Sequence, residues 1–288
     1  MSSDDPPFRT IAIVGLGLIG GSIALAVRER WPSVRVAAVD RAPVLAHAAG
    51  SGAIDRAAQD MGELKGSDLL VLAAPVDQNV RLLPEAARCL GPDAVMTDVG
   101  GTKRDILDTA AALSAPHPVF VGGHPVGGAE RGGFSFARAD MFRGRPWVFT
   151  PGSPPPTQAV DRLCDFARGL GARPTTMEAG EHDRLMAFLS HLPQLTASVL
   201  MEIVGSAVKA SGLKLAGRGL ADTTRLASSS PDIWRGVCAS NADVIGVALD
   251  ALIDRLKQLR GGLEQDEVVE AVFTEAARWR AELMKGGE

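Results

Sequence analysis

The sequence predicts an α/β protein, with a mostly parallel sheet domain over residues 1–152 followed by an all-α domain over residues 153–288. Three observations predict it. Short apolar runs alternate with helical patterns up to about residue 150; the segment Pro151-Gly152-Ser153-Pro154-Pro155-Pro156 then breaks any regular element; and beyond it the periodicity is helical. Repeated strand–helix units imply parallel strands, because each helix returns the chain to the same edge of the sheet. With 288 residues and 46% hydrophobic content, the chain is long enough for two substantial cores.

Ile11-Ala12-Ile13-Val14 is an apolar run of buried-strand type that leads into Gly15-Leu16-Gly17-Leu18-Ile19-Gly20, and a helical stretch follows from Gly21 to Arg30. Strand, tight turn and helix in this order make a Rossmann-type phosphate cradle. Gly15 permits the turn, Gly17 lets the backbone approach a pyrophosphate, Gly20 lets helix pack on strand, and Leu18 and Ile19 offer backbone N–H groups at the helix start. A second strand, Val34 to Val39, ends at Asp40, where a carboxylate accepts hydrogen bonds from a ribose 2′-hydroxyl and repels a 2′-phosphate. The expected cofactor is NAD; Arg41, whose guanidinium suits a 2′-phosphate, keeps NADP as the alternative.

Further along, Asp68 to Pro75 reads as a strand, Gln78 to Leu90 as a helix, Ala94 to Asp98 as a strand, and Thr102 to Leu113 as a helix. Val119 to Val121 is a strand, and Trp147 to Thr150 the final one. Ligands of such sheets bind beyond the carboxyl ends of the strands. That edge carries Gly15, Asp40, Ala74, Pro75 and Asp98, all expected to meet the cofactor, together with His124. His124 belongs to Gly122-Gly123-His124-Pro125-Val126-Gly127-Gly128-Ala129-Glu130, read as a glycine-rich loop after the strand. An imidazole there suits removal of a proton while a nicotinamide takes a hydride.

Beyond the break, Thr157 to Gly171 is an amphipathic helix, and Glu178 to Lys209 one long helix interrupted near Pro193. Pro231 to Arg260 and Asp266 to Lys285 are two more, apolar on one face. Helices of this length exceed what one small domain covers, so burial against a second copy, as a homodimer, is expected. No apolar stretch runs uninterrupted to membrane-spanning length, and Met1 to Pro7 is polar and acidic, which predicts a cytoplasmic protein with no membrane partner. A net charge of −4 without a concentrated basic patch argues against a nucleic-acid surface. Cys89, Cys164 and Cys238 lie far apart with no Cys-x-x-Cys pair, so neither disulfide nor metal site is expected, and the partner is a small molecule.

Five motifs together resemble the prephenate and arogenate dehydrogenase family of tyrosine biosynthesis. They are Gly15 to Ser22; Thr97-Asp98-Val99-Gly100-Gly101-Thr102-Lys103; Gly122 to Gly133; His182-Asp183 leading to Ser190-His191-Leu192-Pro193; and Asp222-Thr223-Thr224-Arg225-Leu226-Ala227 followed by Pro231-Asp232-Ile233-Trp234-Arg235. The resemblance implies oxidative decarboxylation of a cyclohexadiene, prephenate to 4-hydroxyphenylpyruvate or arogenate to tyrosine, with hydride passing to NAD(P). It implies that His124 is a general base on the C4 hydroxyl and that Arg225 binds a substrate carboxylate through two parallel hydrogen bonds. Glu130 and Asp222 are then gating or supporting groups, and His182 and Trp234 line or support the pocket. Ser190 is either a hydrogen-bond donor to substrate or cofactor or a small residue at a helix contact, and His191 either an interior histidine or a substrate contact. Lys103 reads as solvating a helix start.

Two positions depart from the resemblance. Gln194 stands where many relatives have histidine; it keeps hydrogen-bonding capacity but cannot become a cation, which leans the substrate choice towards arogenate, with its ammonium group, in addition to prephenate. Gly101 stands where many relatives carry a serine beside the substrate hydroxyl, so one donor is missing. Two rival readings are a dehydrogenase of another hydroxy acid or of an amino-substituted cyclohexadiene, and a non-catalytic dinucleotide sensor. A sensor has no need of both His124 and Arg225.

Overall fold

The structure, a computed structural model, describes residues 5–127 and 132–285. Strands β1 (Thr10–Val14), β2 (Arg35–Val39), β3 (Arg56–Ala57), β4 (Leu69–Leu72), β5 (Val95–Asp98), β6 (Val119–Pro125), β7 (Pro146–Pro151) and β8 (Arg173–Thr176) form one sheet. Its order is β3-β2-β1-β4-β5-β6-β7-β8; β6 and β7 run antiparallel and every other neighbouring pair is parallel. Side chains alternate between two cores. Ile11, Ile13, Leu69 and Val71 face a core shared with α1 (Leu18–Arg30) and α5 (Thr157–Gly169). Ala12, Val14, Leu70 and Leu72 face a second, shared with α3 (Val76–Cys89) and α4 (Arg104–Ala111). Strands buried on both faces read as continuous apolar runs, which is why they were legible without alternation. Each such Leu, Ile or Val contributes about 1.5–3 kcal/mol by leaving water, so the centre of the sheet anchors the site built on its edge.

Three expectations are corrected. Trp147 to Thr150 is not the final strand: after α5 the chain adds β8, Arg-Pro-Thr-Thr, whose largely exposed and polar residues carry no core signal and whose proline is tolerated on an edge strand. The proline-rich segment at 151–156 is therefore a loop between two strands of one sheet, and the sheet ends at Thr176 instead of before residue 152. Nor does the third motif begin as a loop. β6 continues through His124, which pairs with Val148, because Gly122 and Gly123 let the strand pass against Thr150 and Asp98 where a Cβ would collide.

The helical run begins with α6 (Ala179–Met186), passes through a π turn (Ala187–His191) and continues as α7 (Leu192–Leu213). Pro193 lies just after the π turn in a helical run that continues from α6 to α7, so its missing N–H leaves the preceding turn one backbone bond short, and the irregularity expected there is that π turn. Over Ala179–Leu213 the chain does reach the length and apolarity of a membrane-spanning helix, contrary to the sequence expectation, and Leu189, Val199, Ile203 and Val208 stand exposed along it. There follow α8 (Arg218–Thr223), a 3-10 turn (Arg225–Ser228) and α9 (Pro231–Ser240), which Asn241 ends with non-helical angles, so the expected single helix from Pro231 to Arg260 is two. Compactness divides the chain into Met1–Ala242 and Asp243–Glu288; the second unit holds nearly all of α10 (Ala242–Gly261) and α11 (Asp266–Lys285).

Candidate active site

The strand order reverses between β1 and β4, and the glycine turn lies there. Gly15 has φ +96°, and a Cβ on it would sit 2.8 Å from the Ala73 backbone; one on Gly20 would collide with the Gly15 carbonyl. Around Gly17, by contrast, a Cβ would meet nothing within 4 Å, and as N-cap of α1 it provides no side-chain partner for the first-turn N–H groups of Leu18, Ile19 and Gly20. Open space above uncapped helix N–H groups fits a pyrophosphate. Asp40 is fixed against this turn, accepting from Leu16 N at 2.6 Å and from Arg41 N at 2.6 Å, while the Arg41 side chain is 87% exposed. Ala74 N donates to Asn79 Oδ1 at 3.0 Å, which fixes the corner at Ala74 and exposed Pro75 beside the turn.

Asp98, expected to meet the cofactor, is turned inward. It is 1% exposed, and its carboxylate accepts from Gly100 N (2.8 Å), Gly123 N (3.0 Å) and the buried Lys103 Nζ, so it ties β5 to β6 and closes the loop between them. Lys103 is likewise not a solvated helix start: it is fully buried, and that burial pulls its pKa below the usual lysine range against the attraction of Asp98. At Gly101 a Cβ would meet only Val237, at 3.8 Å, so the fold leaves room for a side-chain hydroxyl there.

From β6 a hydrogen-bonded chain runs inward. His124, partly exposed, places Nδ1 2.9 Å from Nε2 of His182, and Nδ1 of His182 lies 2.8 Å from Oδ1 of Asp183. His182 and Asp183 are fully buried, so His182, expected to line or support the pocket, stands behind His124. Asp183 also accepts from Lys103 N (2.7 Å), Arg104 N (3.0 Å) and Arg104 Nε (3.2 Å). Burial alone would raise its pKa; the hydrogen bonds from His182 and from the Arg104 and Lys103 backbone outweigh that and hold it below the carboxylate range. His124 is held well below 6.5, first by its packed surroundings and then by the neighbouring His182, Lys103 and His191. Asn241, fully buried, donates to the Asp183 carbonyl (2.9 Å), accepts from Arg104 (2.8 Å) and lies 3.3 Å from Nδ1 of His191. His191 is an interior residue, 2% exposed, pushed down to about 4 chiefly by burial, with its ring edge-on to Trp234. Sequence reasoning missed Lys103, Arg104, Asp183 and Asn241 as members of this network; only the adjacency of Asp183 to His182 gave a signal.

Three residues after the π turn that carries partly exposed Ser190, Gln194 is 5% exposed with its amide committed to the chain. Nε2 donates to the Leu226 carbonyl at 2.7 Å and to Ser198 Oγ at 3.3 Å, and Oε1 accepts from Ser229 Oγ at 3.1 Å. Gln194 therefore braces the 3-10 turn that begins with exposed Arg225, which corrects its expected place as a substrate ligand. Asp222 is exposed on α8, and Glu130 lies outside the described residues.

Two family models match the chain. One, described as prephenate dehydrogenase, nucleotide-binding domain, covers residues 23–176; the other, prephenate dehydrogenase, dimerization domain, covers residues 178–274. The chain belongs to the prephenate dehydrogenase family. The junction between the two matches falls just after β8, where the sheet ends. A prephenate dehydrogenase of Bacillus subtilis is 34% identical over 90% of this chain and 71% of its own length. A cyclohexadienyl dehydrogenase of Zymomonas mobilis is 31% identical over 90% of each. Among solved structures, prephenate dehydrogenase from A. aeolicus in complex with hydroxyphenyl propionate and NAD+ superposes with a TM-score of 0.87 at 25% identity, covering 96% of this chain and 98% of that one.

Proposed function

We propose that this member of the prephenate dehydrogenase family oxidatively decarboxylates prephenate and arogenate, with His124 as general base and Arg225 as carboxylate ligand. The observation that carries the reading is His124 at the carboxyl edge of the sheet, partly exposed and with one ring nitrogen anchored inward on His182. NAD, when bound in the glycine cradle, supplies the hydride acceptor. His124 takes the proton of the C4 hydroxyl as the C4–H bond pair leaves as hydride. The bond pair to the C1 carboxylate then falls into the ring as carbon dioxide departs, and the aromatic oxygen takes the proton back. The proton is lent to His124, because the balanced reaction releases none. Arg225 orients the substrate through its carboxylate, and Gln194 holds the turn from which Arg225 reaches it.

The proposed assembly is a homodimer through the helical part. The dimerization-domain match supports it, as do exposed apolar residues on α7 (Val199, Ile203) and on α11 (Phe273, Trp279, Leu283). Sedimentation equilibrium at micromolar concentration is expected to give twice the chain mass, and a monomer would overturn this part. The three cysteines are unpaired, which suits the reducing cytoplasm. The function is tested by following absorbance of the reduced cofactor with prephenate and with arogenate, each with NAD and NADP. NADH is expected from both substrates. Absence of reduction with either would revive the sensor reading, and turnover of prephenate alone would remove the arogenate activity.

A further inference from the structure

We infer that the buried pair His182–Asp183 locks His124 in the one tautomer able to accept the substrate proton, and holds the resulting imidazolium until the proton is returned; His182 is a positioning residue. The inference rests on His124 being the base.

Its premise is the number of donors around Asp183. Two backbone N–H groups and the Arg104 Nε–H already point at the carboxylate, which is held ionised, so the contact at 2.8 Å requires a hydrogen on Nδ1 of His182. A neutral His182 then has a lone pair on Nε2, and the 2.9 Å contact to His124 has only one source of hydrogen, Nδ1 of His124. The lone pair of His124 is thereby left on Nε2, the nitrogen not bound to His182. After proton transfer, the acceptor on His182 meets a more acidic N–H and stabilises the cation, as an oriented His–carboxylate pair does in a hydrolase triad. Among the described residues, the charged and titratable groups packed around this chain cannot supply the same lock. Lys103 and Asp98 are paired with each other, Arg104 is engaged by Asp183 and Asn241, and His191 is neutral and faces Asn241.

Imidazole nitrogen NMR on the 15N-labelled protein tests the lock without turnover. Both His124 and His182 are expected to carry hydrogen on Nδ1 and none on Nε2, the signals being assigned by loss in His124→Asn and His182→Gln. A doubly protonated His182, or hydrogen on Nε2 of either ring, would reverse the direction of the central hydrogen bond and overturn the inference. In kinetics, His182→Gln is expected to lower kcat roughly 10- to 100-fold. KM and NAD affinity are expected to stay within about threefold of the parent. An unchanged kcat would also overturn it. Should the Gln variant fail to fold, the tautomers of the parent protein, assigned with His124→Asn alone, still decide. If His124→Asn loses turnover and His182→Gln does not, only the lock fails; if His124→Asn keeps turnover, the base assignment itself fails.

Discussion

A His124→Asn enzyme is expected to turn over at least roughly 100-fold more slowly than its parent while binding NAD with unchanged affinity. The substitution removes the Nε2 base but little else. β6 pairs with β7 through backbone atoms at this position, and the asparagine amide is long enough in donors to keep a hydrogen bond towards His182. The cofactor cradle is built at β1 and α1 from Gly15, Gly17 and Gly20, none of which touches this side chain in the structure. The pH profile adds a second signature. A base acts only when unprotonated, and the pKa of His124 is depressed, so kcat/KM should stay level through neutrality and fall only as pH drops through a value well below 6.5. In His124→Asn that limb should vanish from the residual rate. A variant that kept both the limb and near-parental turnover would place the base elsewhere.

The dinucleotide half of the site was legible in the sequence because each of its requirements is local. Gly15, Gly17 and Gly20 sit within one turn, and their conformational needs follow from strand, turn and helix alone. The helical half was legible as helices, since the 3.6-residue period survives the π turn at Ala187–His191, but its breaks were not: Asn241 ends α9 without a proline or glycine to mark it. β8 was missed because an exposed edge strand of Arg, Pro and Thr lacks apolar alternation. What sequence could not rank were the roles of polar residues. Asp98 and Asp40 both end strands on the ligand edge, yet Asp98 turns inward to Lys103 while Asp40 stays at the glycine turn. Likewise His182 and Gln194 were grouped with substrate ligands by motif, and each is hydrogen-bonded to a residue far away in sequence, His182 to His124 (58 residues) and Gln194 to Leu226 (32 residues). Contacts of that separation leave no periodic trace.

Arg225→Met is expected to raise KM for prephenate about 100-fold, with NAD affinity unchanged and kcat reduced far less. A guanidinium–carboxylate pair is a charge-assisted, bidentate contact, and losing one of this kind costs about 2–3 kcal/mol, which corresponds to that factor. A contact to a carboxylate whose charge does not change at the hydride-transfer step is carried equally by the bound substrate and by the transition state, and uniform binding appears in KM. Arg225→Lys should recover part of the loss, because the charge returns without the fork. A drop in kcat matching that of His124→Asn, with KM unmoved, would instead put Arg225 at the reacting carbons and leave the carboxylate without an assigned ligand. The brace at Gln194 explains why Arg225 can serve as a fixed anchor despite being exposed: two hydrogen bonds between Gln194 and the turn hold Leu226 and Ser229, so the turn is set before substrate arrives and little ordering entropy remains to oppose binding.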